Sequence, residues 1–128
     1  MPIATLIAEN LKIEVDDVSA IDRIVVTWLG RADHRKPSER LSSYLSDLAE
    51  NAATLHCGIE MRFEKLSYIN SASIVVLLVF IKDLLRREVR LRLVYDDQLK
   101  WQAINFGALR HLDDELGLLE FVTESSSQ

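Results

Sequence analysis

Cysteine, glycine and proline are scarce in this sequence, and each scarcity removes a class of protein. A single cysteine, Cys57, among 128 residues excludes an intramolecular disulfide framework and a zinc site built on several thiolates. Four glycines and two prolines go with the absence of a Gly-rich phosphate loop and of Pro/Gly-rich linkers, and no internal repeat is visible. Long apolar runs are missing too. The longest, Ile74 to Ile81, falls far short of the roughly 20 residues that span a bilayer, so no membrane insertion is expected. Positive charge is in deficit: 15 Lys and Arg against 20 Asp and Glu give −5, which argues against nucleic acid as a partner. The opening Met1-Pro2-Ile3-Ala4-Thr5 has neither the basic nor the apolar segment of a signal peptide, and the expected compartment is the cytoplasm.

What is present is the balance of an ordinary globular domain, 48% apolar and 27% charged. The length suits one compact unit, expected over residues 1–124, with the tail Ser125-Ser126-Ser127-Gln128 disordered. Leu11, Ile13 and Val15 alternate with Lys12 and Glu14, the period of a half-buried strand. Ile24 to Leu29 is apolar and rich in β-branched residues, reads as a buried strand ending at Gly30, and is expected to pair antiparallel with the first. After a polar loop from Gly30 to Pro37, Ser38 is positioned to cap a helix. Its apolar face carries Leu41, Tyr44, Leu45, Leu48, Ala52 and Leu55.

A second alternating strand follows Gly58, with Ile59, Met61 and Phe63 on one side and Glu60, Arg62 and Glu64 on the other. The run from Ile74 is read as a helix. Its continuation through Lys82 to Arg87 is helix-forming with cations at its end, and Asn70 and Ser71 before it are both good caps. Apolar nearly all round, it is expected to be covered by other elements. Val89 to Tyr95 reads as a further strand. Asp96 is a candidate cap for a helix through Leu99, Ala103 and Phe106, and a short acidic helix near Leu109–Leu116 precedes a last apolar stretch, Leu118 to Val122. Strands alternating with helices predict an α/β fold, a mixed and mostly parallel sheet of about five strands with helices packed against it.

Two motifs align with one family. Val25-Val26-Thr27-Trp28-Leu29-Gly30-Arg31-Ala32-Asp33, followed by a helix with Leu41 and Leu45, resembles the strand–Gly-x-x-Asp–helix opening of STAS domains, which include the bacterial anti-sigma-factor antagonists. Phe63-Glu64-Lys65-Leu66-Ser67-Tyr68-Ile69-Asn70-Ser71-Ala72-Ser73 resembles the strand and loop that ends Asp-Ser-Ser-Gly in that family. The order of elements agrees from about Leu11 to Val122. Asn70 stands for Asp, Ala72 for Ser and Ser73 for Gly. Asn before the acceptor is similar to a divergent STAS-like group with Asn-Thr-Ser-Ser at this site, some of whose members regulate cyclic-di-GMP synthesis.

The resemblance implies a single STAS-type domain that is not an enzyme and needs no cofactor. It implies a protein partner: a serine kinase acting as anti-sigma factor, a phosphatase, or a cyclase. Ser71 takes the position of the phosphorylated hydroxyl, with Ser73 second, and Asp33, His34, Arg35, Asn70, Ser71, Ala72 and Ser73 form the expected partner-binding set. Loops 30–37 and 66–71 both leave carboxyl ends of strands, so they should be neighbours, with Arg31 and Lys36 completing a polar rim. The alternative is a constitutive binding subunit of a transport or signalling complex, or a regulator of a diguanylate cyclase.

Several residues carry simpler readings beside these. Ser71 is equally a helix cap, and Asp33 a loop carboxylate bonding nearby backbone. Arg86, Arg87, Arg90 and Arg92 read as a solvated face rather than a phosphate site. Asp96-Asp97 and Asp113-Asp114-Glu115 read as capping and solvated turns rather than metal ligands. His34, His56 and His111 have no metal-ligand spacing, and adjacent His56 and Cys57 would point apart. The strand edge near residues 11–15 is expected to lack a cover, which would permit a homodimer.

Overall fold

A computed structural model describes residues 5–8, 10–18, 23–33, 39–112 and 116–123. The expected cap at Ser38, the rim residues His34, Arg35 and Lys36, the acidic turn 113–115 and the tail 125–128 lie outside the described residues.

The chain runs β1 (Leu6–Ala8), β2 (Leu11–Val18), β3 (Arg23–Ala32), α1 (Glu39–Leu55), β4 (Gly58–Arg62), β5 (Leu66–Ile69), α2 (Ser71–Arg86), β6 (Leu91–Tyr95), α3 (Lys100–Ala108) and β7 (Leu119–Thr123). Among the described residues one sheet holds seven strands, in the order β1-β2-β3-β4-β6-β7 with β5 pairing to β3 as well. β1, β2 and β3 pair antiparallel, and every pairing beyond β3 is parallel. The mixed α/β architecture is as expected, but seven strands replace about five. The additional two, β1 and β5, span three and four residues, too short for an alternating pattern to register. Of the expected acidic helix, the described residues show a 3₁₀ turn over Leu109–His111.

β1 also changes the expected free edge. Its Leu6 to Ala8 pair with Ile13 to Leu11, so the start of β2 is covered rather than open. At this same end of β2, opposite Leu11, Gly30 does not terminate β3. A positive φ of 87° and a close backbone approach by the Asn10 carbonyl make it a position only glycine fits. The register shifts there, and β3 changes neighbours. Residues 23–27 pair with β4, while 30–32 pair with β5.

Alternation divides the sheet into two faces. Ile13, Ile24, Val26, Trp28, Ile59, Met61, Leu91 and Leu93 all lie in one continuous core. Leu41, Leu45 and Leu48 of α1, Leu77, Phe80, Ile81 and Leu84 of α2, and Phe106 of α3 complete it. Phe63 links Trp28 and Phe106, with ring centroids 5.2 and 4.4 Å away. The other face carries Lys12, Glu14, Glu60, Arg62, Arg92 and Glu120. Glu60 is the buried member of this charged face. It is 7% exposed beneath Arg23, Arg62 and Arg92, at 2.6, 2.7 and 3.3 Å. Burial pushes its carboxyl up, but the hydrogen bonds from Arg62 and Arg23 outweigh this and hold it below the usual range.

α1 and α2 both close through a left-handed position that is not glycine. His56 after α1 and Glu88 after α2 take positive φ of 54° and 59°. Both ends close with the paired bonds of a Schellman motif, Cys57 to Ala52 with His56 to Ala53, and Val89 to Leu84 with Glu88 to Leu85. Gln102 of α3 is wholly buried. Its side-chain amide donates to the carbonyls of Phe63 and Leu66 at 2.7 and 2.9 Å, and its oxygen accepts from the Asp96 N–H at 2.8 Å. This one side chain holds the β4–β5 turn to the exit of β6, and so fixes where β5 begins.

Candidate partner-binding site

β5 ends at Ile69, and the Asn70 N–H donates to the Ala32 carbonyl at 2.9 Å. The loop after β3 and the entry of α2 are therefore hydrogen-bonded neighbours, as their places after parallel strands predicted. The cap of α2 is Asn70, not Ser71. The Asn70 side chain accepts from the Ser73 N–H at 2.8 Å, and its carbonyl accepts from the Ile74 N–H at 3.0 Å. Ser71 is the first helical residue and is exposed, leaving its hydroxyl out of the capping scheme.

Its neighbours divide sharply. Ala72 is half-buried, and Ser73 is wholly buried, its hydroxyl without a hydrogen-bond partner among the described residues. Of the two candidate hydroxyls only Ser71 meets solvent. One helical turn further on each time, Val75 and Val79 are 58% and 64% exposed. This overturns the expectation that α2 is covered all round: only the side with Leu77, Phe80, Ile81 and Leu84 enters the core. Ser71, Val75 and Val79 form one exposed line. It runs toward the basic end of the helix, where Arg86 and Arg87 pair with Asp83. Beside it a groove of about 580 Å³ runs between α1 and α2, floored by Leu45, Val76 and Phe80.

Asp33 follows the end of β3. Its carboxylate accepts from Arg31 Nε at 3.2 Å and lies 3.5 Å from the Asn10 side-chain amide. The bond from Arg31 holds the carboxyl below its ordinary range. The Arg31 guanidinium also lies 4.8 Å above the Tyr68 ring, whose residue is its β5 register partner. Side chains supply the leading contacts of the Asp33 carboxylate, and its own backbone N–H adds a smaller one. Asn10 and Tyr68 were not legible from sequence. Each reaches the site through strand pairing, and no pattern in the sequence assigns either a role there.

The remaining candidates fall elsewhere. Asp96 is buried in a turn and accepts from the Gln98 N–H at 2.9 Å, whereas α3 begins at Lys100 and has no side-chain cap. His56 is exposed at its left-handed position and Cys57 is half-buried beside it. The four arginines are not one solvated face: Arg92 bonds Glu60 and Glu120, at 3.3 Å each.

This arrangement defines the chain's class: a single mixed sheet with helices on one side, and an exposed hydroxyl opening the helix after β5. No family model matches the sequence, and no curated protein matches it either. Solved structures do. The anti-sigma factor antagonist SpoIIAA in its unphosphorylated form is 20% identical, with a TM-score of 0.51 over 78% of this chain and 99% of that one. The Bacillus cell fate determinant SpoIIAA in the phosphorylated form is 19% identical, with a TM-score of 0.55 over 88% and 92%. An anti-sigma factor antagonist from Mycobacterium paratuberculosis is 13% identical, with a TM-score of 0.61 over 90% of each chain. The chain has the STAS fold of the anti-sigma factor antagonists. Among the described residues, no helix is long and apolar enough to cross a membrane.

Proposed function

We propose that this chain is a cytoplasmic, non-enzymatic partner-switching regulator whose switch is phosphorylation of Ser71. Unmodified, it binds a protein partner, a serine kinase acting as anti-sigma factor or a related regulator. Phosphorylated, it releases that partner until a phosphatase resets it. The observation that carries the reading is the placement of Ser71 on one exposed line with Val75 and Val79. Exposed apolar side chains in a row mark a protein contact, and Ser71 stands at its end.

The chemistry follows from the helix terminus. The N-terminal end of α2 carries unpaired N–H groups and a partial positive charge, so it tolerates an added phosphate. Because Asn70 already caps the helix, Ser71 is free for modification without loss of the cap. A phosphoserine brings about −1.5 to −2 charge at neutral pH. A partner seated over Val75 would have to desolvate that charge, a penalty on the order of several kcal/mol that leaves the fold untouched. Asp33 and Asn70 sit on the adjoining rim and contribute polar contacts.

Incubation with ATP and the cognate kinase should place one phosphate on Ser71, and partner affinity should fall for Ser71→Asp but not for Ser71→Ala. Phosphorylation and switching that persist in Ser71→Ala would refute the assignment. Equal affinity of both variants would assign the chain instead as a constitutive binding subunit.

A further inference from the structure

We propose a second site, at the opposite end of the sheet from Ser71, that binds a small oxyanion-bearing ligand between Arg23 and Arg90. A cavity of about 460 Å³ opens there on the charged side of the sheet, at the amino ends of β4, β6 and β7. Its floor is Gly58. Gly58 pairs with Arg23 on β3, and the backbone of Arg90, just before β6, borders it on the other side. Adjacent strands lie about 4.8 Å apart, so the two arginines rise on either side of the glycine roughly 10 Å apart at their Cα atoms. That spacing lets two long guanidinium arms converge on one carboxylate or phosphate group.

The glycine is what keeps the space open. A Cβ at Gly58 would stand 3.2 Å from the Arg90 carbonyl oxygen, and any longer side chain would rise between the two guanidiniums. Gly117, on the far rim, has nothing within 4 Å of where its Cβ would be. The charge balance at this corner also leaves capacity for an anion. Three arginines share the Glu60 carboxylate. Arg62 has Glu64 as a second partner and Arg92 has Glu120, whereas the ion pair described for Arg23 is to Glu60 alone. Arg90 is exposed and takes no part in the network among the described residues. The network thus holds Arg23 and Arg92 in place, and Arg90 is the exposed third arm. Within a chain of net charge −5 this is a locally cationic cavity. It is of the size that encloses a small phosphorylated or polycarboxylate molecule.

Titration of the ¹⁵N-labelled full chain at low salt tests this, with pyrophosphate as the phosphate probe and citrate as the carboxylate probe. Saturable shifts are expected at the amides of Gly58, Arg90, Gly117 and Leu119, with Ser71 and Ser73 unmoved. The tighter probe identifies the chemistry of the natural group. Arg90→Ala, which removes no described structural contact, should weaken binding about tenfold or more, and Gly58→Ala should do the same by filling the floor. Equal affinity of wild type and Arg90→Ala overturns the site, as does no saturable binding of either probe, or shifts spread evenly over the surface. None of these outcomes depends on the role of Ser71.

Discussion

The Asn70 N–H donates to the Ala32 carbonyl at 2.9 Å, and through this bond the end of β3 fixes the first turn of α2. Asn70 then uses its side chain to cap the same helix at the Ser73 N–H. Two residues in sequence therefore have separate duties: Asn70 holds the helix and Ser71 is left exposed.

Asn70→Ala should cost about 1 kcal/mol of unfolding free energy, the ordinary worth of an N-cap. Ser71→Ala should change it by less than about 0.5 kcal/mol, since an exposed first-turn hydroxyl caps nothing. Asn70→Asp keeps an acceptor and adds a charge favourable at a helix N-terminus, so it should be neutral to slightly stabilising. Urea denaturation of the three variants reads these differences. A larger loss for Ser71→Ala than for Asn70→Ala would contradict the capping scheme.

Gln102 supports the site from below. Gln102→Leu strips hydrogen bonds from the Phe63 and Leu66 carbonyls and from the Asp96 N–H, all at a buried position. A loss of about 2–4 kcal/mol is expected, because the orphaned backbone groups stay buried. Hydrogen exchange should show amides of β5 and the start of α2 losing protection before those of β3.

Glu60 makes stability depend on acid. Its carboxyl titrates below the usual range in the folded state because arginine hydrogen bonds outweigh burial. The ionised form therefore contributes stability above the ordinary carboxylate pKa, and that contribution is lost as pH falls through the lower folded value. Glu60→Gln should lose roughly 2 kcal/mol at pH 7, and the gap from wild type should close in acid. A gap independent of pH would show that the ionised carboxylate contributes nothing.

The left-handed position after α2 offers a gain. Glu88 holds φ 59° with a side chain. Glu88→Gly removes the strain while keeping the Schellman bonds, and should raise stability by about 0.5–1 kcal/mol in thermal or urea unfolding. A loss would mean that the Glu88 side chain makes a contact that outweighs the backbone strain.

Local pattern in the sequence determined the long elements. Alternation marked β2 and β4, a β-branched apolar run marked β3, three-and-four spacing marked α1, and the apolar run with a polar entry and basic exit marked α2. These signals are read over windows of several residues, and a window needs no knowledge of the fold. The pairing of Asn70 and Ser71 before a buried helix was legible as well, but not which of them caps it, since both residue types suit that role. Tertiary structure alone decided the rest. β1 and β5 exist because β2 and the kinked end of β3 offer them edges, and three or four residues carry no period of their own. Asn10, Tyr68 and Gln102 gain their roles from partners far along the chain. Glu60 is buried only because arginines from three strands meet over it. Which side of α2 stays bare, placing Val75 and Val79 beside Ser71, depended on how much of the helix α1 and the sheet could cover. Hydrophobicity alone could not say, because every face of that helix is apolar enough to have been buried.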